Sequence, residues 1–224
     1  MEHLPVFFVQ SVKFEARMKV IKFSILSLII ALILSLPSCG PKSIESDPVD
    51  LKSSSKSWVP FYGLEYIVFK NDTGSIIFKG QGKNQYYENK RYMTDQSGFF
   101  SSQKDYYADF EREELTFESD QTPYIITYKL ESDKGDVGDW NYLTVKMVDG
   151  TYYSNELKMI TYTNSDYDFG QVYSYKKSIN LNGNVFDSVY YLKQSSRPME
   201  LYYTKKDGVI AFKLNAQELW VIDK

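Results

Sequence analysis

Three regimes of hydrophobic patterning divide the chain. Phe23 to Leu36 is apolar except for Ser24, Ser27 and Ser35, with no polar face at helical spacing. Gly40 to Ser57 is Ser, Lys, Asp and Pro with almost nothing to bury, and reads as a disordered tether. From Trp58 onward, short runs rich in aromatic and β-branched residues are cut by Asn, Asp and Gly, the pattern of strands and tight turns. Leu64 to Lys70 and Ser75 to Lys79 flank Asn71-Asp72-Thr73-Gly74, a hairpin by composition. Leu115 to Glu118 and Tyr124 to Glu131 flank a Pro123-containing turn, and Ser132 to Asp139 reads as a Gly- and Asp-rich loop. Tyr142 to Val148 and Thr151 to Ser154 flank Asp149-Gly150, a strong two-residue hairpin signal, and Leu157 to Thr163 is a further strand.

Towards the C-terminus, Val172 to Leu181 and Val185 to Leu192 flank Asn182-Gly183-Asn184. Met199 to Thr204, Val209 to Leu214 and Glu218 to Ile222 follow. Simple alternation puts Ile210, Phe212 and Leu214 on one face, with Trp220 within reach on the next strand. Leu219-Trp220-Val221-Ile222 is apolar on both sides and is expected to be covered on both. Tyr86 to Met93 fits either strand or loop. Tyr106 to Glu114 is the best local candidate for a helix and equally suits an irregular segment. Close-spaced short strands of this kind predict an all-β domain, an antiparallel meander of hairpins closed or curled into a sandwich, barrel or curved sheet.

The N-terminal apolar run changes the picture from fold to location. It is preceded by Met18-Lys19-Val20-Ile21-Lys22 and followed by Leu36-Pro37-Ser38-Cys39-Gly40. The run is shorter than the roughly 20 residues a spanning helix needs, and fits the roughly 7–15 residues of a signal-peptide core. Leu36 to Gly40 resembles the lipobox cut by the lipoprotein signal peptidase, with Pro37 a less usual filler. Cys39, the chain's one cysteine, is then the acylated N-terminus. The expected organisation is a signal region over residues 1–38, with Met18 the true start, a lipidated tether over 39–57, and a single β domain over 58–224.

Charge and composition narrow the chemistry. Four of 26 Lys and Arg and two of 29 Asp and Glu precede Cys39, as does the one histidine, leaving 22 cations against 27 carboxylates. A mildly acidic domain without a basic run argues against nucleic acid and against a polybasic grip on anionic lipid, so attachment would rest on acyl chains. Absence of histidine beyond Cys39 excludes a Ser–His–Asp triad and histidine-ligated zinc. No cysteine pair can staple the fold, and no glycine pattern opens a nucleotide site, so no cofactor is expected. Glu111, Glu113 and Glu114 read as solvated surface charge. Asp133, Asp136 and Asp139, with Gly135 and Gly138 between them, and Asn164, Asp166 and Asp168 before Gly170, are weak calcium candidates. Tyr175 stands where a closing Glu would sit, and both segments read as plain turns, with no metal. The 20 tyrosines include doublets such as Tyr86-Tyr87, Tyr190-Tyr191 and Tyr202-Tyr203, in which one ring is expected to pack inward and the other outward rather than stack sugars.

Two C-terminal elements carry a resemblance. Ile179 to Val189 resembles an I-x-x-N-G-x-x-Y/F-x-x-V hairpin, and Leu201 to Phe212 a Y-Y-x-x-x-x-G-I/V-I-x-F element, followed by Leu219-Trp220. With Ser38-Cys39-Gly40, these are similar to uncharacterised lipoproteins of the Bacteroidota, the Bacteroides and Flavobacterium group. The resemblance covers the signal and about the last fifth of the chain, and no catalytic residues travel with it. It implies a lipocalin-like or half-barrel β domain anchored to the outer membrane of the cell envelope. The expected role is binding or structural, not enzymatic. A carboxylate-dependent, glycan-active enzyme and a carrier of an apolar ligand inside a barrel are the alternatives.

Overall fold

The computed structural model describes residues 42–95, 103–135, 138–150, 154–164, 173–193, 199–213 and 218–224. About three quarters of them are strand. In chain order these are β1 (Lys42–Glu45), β2 (Tyr66–Asn71), β3 (Gly74–Asp95), β4 (Lys104–Ser119), β5 (Ile125–Gly135), β6 (Gly138–Val148) and β7 (Ser154–Thr163). After them come β8 (Ser174–Leu181), β9 (Asn184–Lys193), β10 (Glu200–Thr204), β11 (Gly208–Lys213) and β12 (Trp220–Ile222). One short helix, α1 (Ser53–Lys56), lies between β1 and β2. They form one sheet in the order β7-β6-β5-β4-β3-β2-β12-β11-β10-β9-β8, antiparallel throughout, with β1 added in parallel beside β4. The chain thus winds outward from β2 to β7, resumes at the opposite edge with β8 and winds inward to β12, which pairs with β2 to join the halves. The sheet curls until β7 touches β9 and β10, giving an antiparallel half-barrel.

Local turn chemistry sets most of the hairpins. Asn71 Oδ1 accepts the Thr73 and Gly74 amides at 2.9 and 2.8 Å and closes the β2–β3 turn. Asn182 and Gly183 both take positive φ, 50° and 84°, as a two-residue turn matched to strand twist requires. At Gly208, with φ 74°, a side chain would collide with the Phe61 ring, so glycine answers both the backbone and the packing. The β6–β7 connection holds Asp149-Gly150 but is not the expected two-residue turn: Val148 pairs with Ser154, with five residues between them, and Thr151 to Tyr153, with the Tyr152-Tyr153 doublet, lie outside the described residues.

The concave face holds the main core. Phe69, Phe78 and Phe212 meet edge-on with ring centroids 5.0 to 6.1 Å apart, and Trp220 stacks on Phe212 at 6.5 Å. Phe61, from the segment before β2, closes against Phe117 and Tyr128 at 5.1 and 5.4 Å. Leu130, Leu143, Val145, Met147, Leu157 and Met159 continue this layer across β5 to β7. A second cluster, including Phe186, Val189, Tyr202, Ile210 and Val221, buries the opposite face of β8 to β12. Tyr202 and Tyr203 are therefore both buried, on opposite faces, where an inward–outward split was expected.

Several expectations are corrected. Tyr106 to Glu114 is neither helix nor loop but the middle of β4, paired to β3 over its whole length. Ser132 to Asp139 is not a long loop: β5 runs to Gly135 and β6 begins at Gly138, with Lys90 bonded to Asp133 at 2.9 Å. Lys42 to Ser57 is not a free tether, because β1 and Val49 pair along β4, Glu111 holds Leu51, and α1 packs against β6 and β7, so the fold begins well before Trp58. In β11 a bulge shifts the alternation. Tyr202 faces Ala211 while Tyr203 faces Val209, so Ile210 is the extra residue. Ile210 then joins the outer cluster and Phe212 the inner one, rather than sharing a face. Leu214 lies outside the described residues. The final strand does pair antiparallel with β11, Phe212 opposite Trp220, and is covered on both faces.

Candidate functional site

Two polar constellations lie on β4 to β7, one on each face. The inner one is built on Glu111 and Glu113, which alternation places on the same side as Leu115 and Phe117. Both are buried, contrary to the surface reading of this cluster, whereas Glu114 is half-buried on the outer face. Glu111 Oε2 accepts the Leu51 amide at 2.7 Å. Its Oε1 takes the Lys56 ammonium at 2.6 Å and the Gln85 amide. Glu113 holds Lys83 at 2.7 Å. Next to them Asn141 Oδ1 accepts the Lys52 amide at 2.9 Å and the Ser55 hydroxyl at 3.0 Å, and the Ser132 hydroxyl donates to the Val49 carbonyl. Each carboxylate is neutralised by a lysine, and Glu111 spends both oxygens clamping the N-terminal segment. A buried carboxylate needs such partners to stay ionised, so this cluster is a latch for residues 49–56.

The outer constellation is a charged lattice. On β5, Thr127, Lys129 and Glu131 alternate with the inward Ile126, Tyr128 and Leu130; Thr144 and Lys146 on β6, and Glu156 and Lys158 on β7, do the same. Register turns these into rows: Glu114 faces Lys129, Lys129 faces Thr144, and Thr144 faces Lys158; beside it run Thr127, Lys146 and Glu156. Strands stand about 4.8 Å apart, so neighbouring side chains within a row are in reach of one another. They line an open groove of about 450 Å³. At its end Arg112 lies buried on the outer face and bonds Glu88 at 3.0 Å and the Ser132 carbonyl, with Glu131 at 3.6 Å.

Electrostatics at that end is strongly coupled. The Arg112 hydrogen bond and charge hold the Glu88 carboxyl below its ordinary value. Partial burial opposes the charge on Lys129, but the hydrogen bond and charge of Glu131, 3.0 Å away, raise it. Burial, then the charges of Glu131 and Asp133, push the Tyr142 hydroxyl well up, so it stays protonated under the Lys158 ammonium, 3.7 Å from its ring centre. Glu114, Lys146 and Glu156 make no ion pair among the described residues and present their charges to the groove. Small-molecule pockets of this volume are mostly apolar. A groove of interspersed carboxylates, ammonium groups and Thr hydroxyls instead suits a hydrated, polar partner of mixed charge.

Of the calcium candidates, Asp133, Asp139 and Asn164 are among the described residues. Asp133 is bonded to Lys90 and Asp139 sits in β6, where its amide donates to Asn164 Oδ1 at 2.7 Å. Asp136, Asp166 and Asp168 lie outside the described residues, as does Cys39. Among the described residues no cluster of three metal-ligating side chains occurs, and no helix is long and apolar enough to cross a membrane. Sequence reading missed the outer lattice. Its signal was present in the strict polar–apolar alternation of Thr127 to Glu131, Thr144 to Met147 and Glu156 to Met159, but its rows depend on strand register.

Fold and site together define an antiparallel half-barrel with a filled concave face and a polar groove on its convex one. Comparison of the chain with protein-family models, with curated proteins and with solved structures finds no match.

Proposed function

We propose that this chain is a lipid-anchored protein of a Bacteroidota cell envelope that binds a polar partner through the convex groove, and that its role is binding or scaffolding, not catalysis. The observation that carries the binding reading is the division of labour across one sheet. The concave face is spent on aromatic packing and on latching residues 49–56, while Glu114, Lys146 and Glu156 remain open to a partner. The paired Glu111 and Glu113 argue against a glycosidase, which needs one carboxyl as a proton donor and the other free to act as nucleophile or base. Aromatic rings on the concave side argue against a carrier of an apolar ligand. The lipobox-like Leu36 to Gly40 with the sole cysteine supports the anchor.

Metabolic fatty-acid labelling tests the anchor: label on the wild type, and neither label nor cleavage for Cys39→Ala. Full membrane partitioning of that variant would mean that Phe23 to Leu36 is a transmembrane anchor instead. For the groove, an array of charged and neutral glycans and peptides should give ligands whose affinity falls about tenfold or more in Lys146→Glu/Glu156→Lys, a pair that keeps net charge. Glycan hydrolysis abolished by Glu113→Gln would overturn the non-enzymatic reading.

A further inference from the structure

Resting on the acylation of Cys39, we infer that the far end of the β3–β4 arm is pressed against the lipid headgroups, and that the domain stands on the membrane in a fixed pose instead of floating on a leash. The argument begins with how little chain is left over. Lys42 is already in β1, its amide bonded to the Gln103 carbonyl at 3.0 Å. From there the segment is fastened to β4 without slack. Lys42 to Glu45 pair in parallel with Lys104 to Tyr107. The Ser46 and Val49 amides bond the Tyr107 and Asp109 carbonyls at 2.9 Å each, and Glu111 holds Leu51 and Lys56. Only Gly40 and Pro41 separate the acylated residue from β1. Three residue steps reach at most about 11 Å, only a few ångströms beyond the roughly 5–8 Å headgroup layer on one side of a bilayer.

The direction of β1 then sets which part of the fold touches lipid. Lys104 opens β4 and faces Asp95, the last residue of β3, so Lys42 enters at the outermost described end of the arm. The other end of the 22-residue β3, at Gly74, is separated from it by roughly 70 Å of strand. The β2–β3 turn at Asp72-Thr73 is therefore held far from the bilayer.

Charge agrees with this pose. Lys42 and Lys104 are direct neighbours in register, an arrangement that repels in isolation and is relieved by an anionic surface. With Asp95 facing Lys104, the Arg91–Asp105 pair at 3.5 Å and Glu45 in β1, charges at this end balance, so the attraction rests on the adjacent Lys42 and Lys104 alone. Each lysine held near an anionic leaflet adds about fivefold to partitioning. That is too little to bind alone, but enough to bias the pose once the acyl chains hold the protein there.

The test uses the full, acylated chain. Its one native cysteine is spent in the thioether, so an introduced cysteine carries the only thiol. Ser43→Cys on β1 and Asp72→Cys at the distant turn, each labelled with bimane, are reconstituted in phosphatidylcholine–phosphatidylglycerol vesicles containing headgroup spin-labelled lipid. The expected result is quenching several-fold stronger at position 43 than at 72. Inserting twelve Gly and Ser residues after Gly40 should leave flotation unchanged and bring quenching at 43 down to the level at 72. Equal quenching at the two positions, in protein that carries acyl label and floats, would overturn the pose and leave the anchor standing. Absence of acyl label would remove the anchor and the pose together.

Discussion

Glu111→Ala should destabilise the fold well beyond its acidic neighbour Glu114, although both sit in one run of acidic side chains. The carboxylate is almost fully buried and has three partners: the Leu51 amide, the Lys56 ammonium and the Gln85 amide. Truncation leaves the buried Leu51 amide without an acceptor, at about 1–3 kcal/mol. Gln85 and Lys56 are exposed enough to regain water, so their loss adds little. The total is about 1–3 kcal/mol, a sizeable share of the roughly 5–15 kcal/mol that a domain commands. For a chain of this size that is a fall in Tm of roughly 3–10 °C. Glu111→Gln keeps an acceptor for Leu51 and should cost about half as much. Glu114→Ala, next along the strand but on the outer face, should stay within about 0.5 kcal/mol. Thermal unfolding of the three variants measures this order. Limited proteolysis should show cleavage between residues 42 and 56 appearing first in Glu111→Ala. Equal tolerance of Glu111→Ala and Glu114→Ala would refute the latch.

Other expectations follow from the same packing. Trp220→Ala removes a ring stacked on Phe212 and should cost about 3–5 kcal/mol, whereas the exposed Tyr62→Ala should leave the melting curve in place. Gly208→Ala must hold φ 74° and displace Phe61, and should destabilise by about 1–3 kcal/mol as read by urea midpoint. On the acid side, Arg112 depresses Glu88; at Glu200 burial works the other way but is outweighed by the Tyr202 hydroxyl and Lys193. Carboxyls lowered in the fold contribute stability that is full above about pH 4.5 and lost as pH falls through their folded values, so Tm should drop below about pH 4.5, less steeply in Glu88→Gln. On the alkaline side, burial first, then Glu200, pushes the Tyr202 hydroxyl up to about 12. The unfolded chain gives up its tyrosine protons near pH 10 while the fold keeps them, so stability should fall from about pH 10 upward, and an alkaline melt that stays flat to pH 12 would contradict this.

The hairpins were legible because their causes are local. Asn71-Asp72-Thr73-Gly74 and Asn182-Gly183 carry their turn geometry within four residues, and the aromatic, β-branched runs beside them admit little but strand. The antiparallel all-β architecture follows from those short-range signals. What could not be read is every feature whose cause lies far along the chain. Tyr106 to Glu114 looks like a loop because its charges are visible in sequence and their partners are not: Leu51 and Lys56 reach Glu111 across 60 and 55 residues, and Lys83 reaches Glu113 across 30. The same long-range bonds make a packed segment of Lys42 to Ser57, whose composition alone cannot overcome the entropy of ordering.

Register is the other tertiary decision. Polar alternation on β4 to β7 is written in the sequence, but whether Lys146 meets Glu156 or a neighbour two residues away depends on how strands slide against one another. The bulge at Ile210 likewise moves one residue to the opposite face with no local mark. The amino-acid pattern by itself determined that this chain makes hairpins with one apolar side, since backbone turns and side-chain periodicity are properties of a few adjacent residues. Only the assembled sheet decided which charges are buried and which face a partner, because an ionised side chain goes inside only where a distant residue arrives to compensate it.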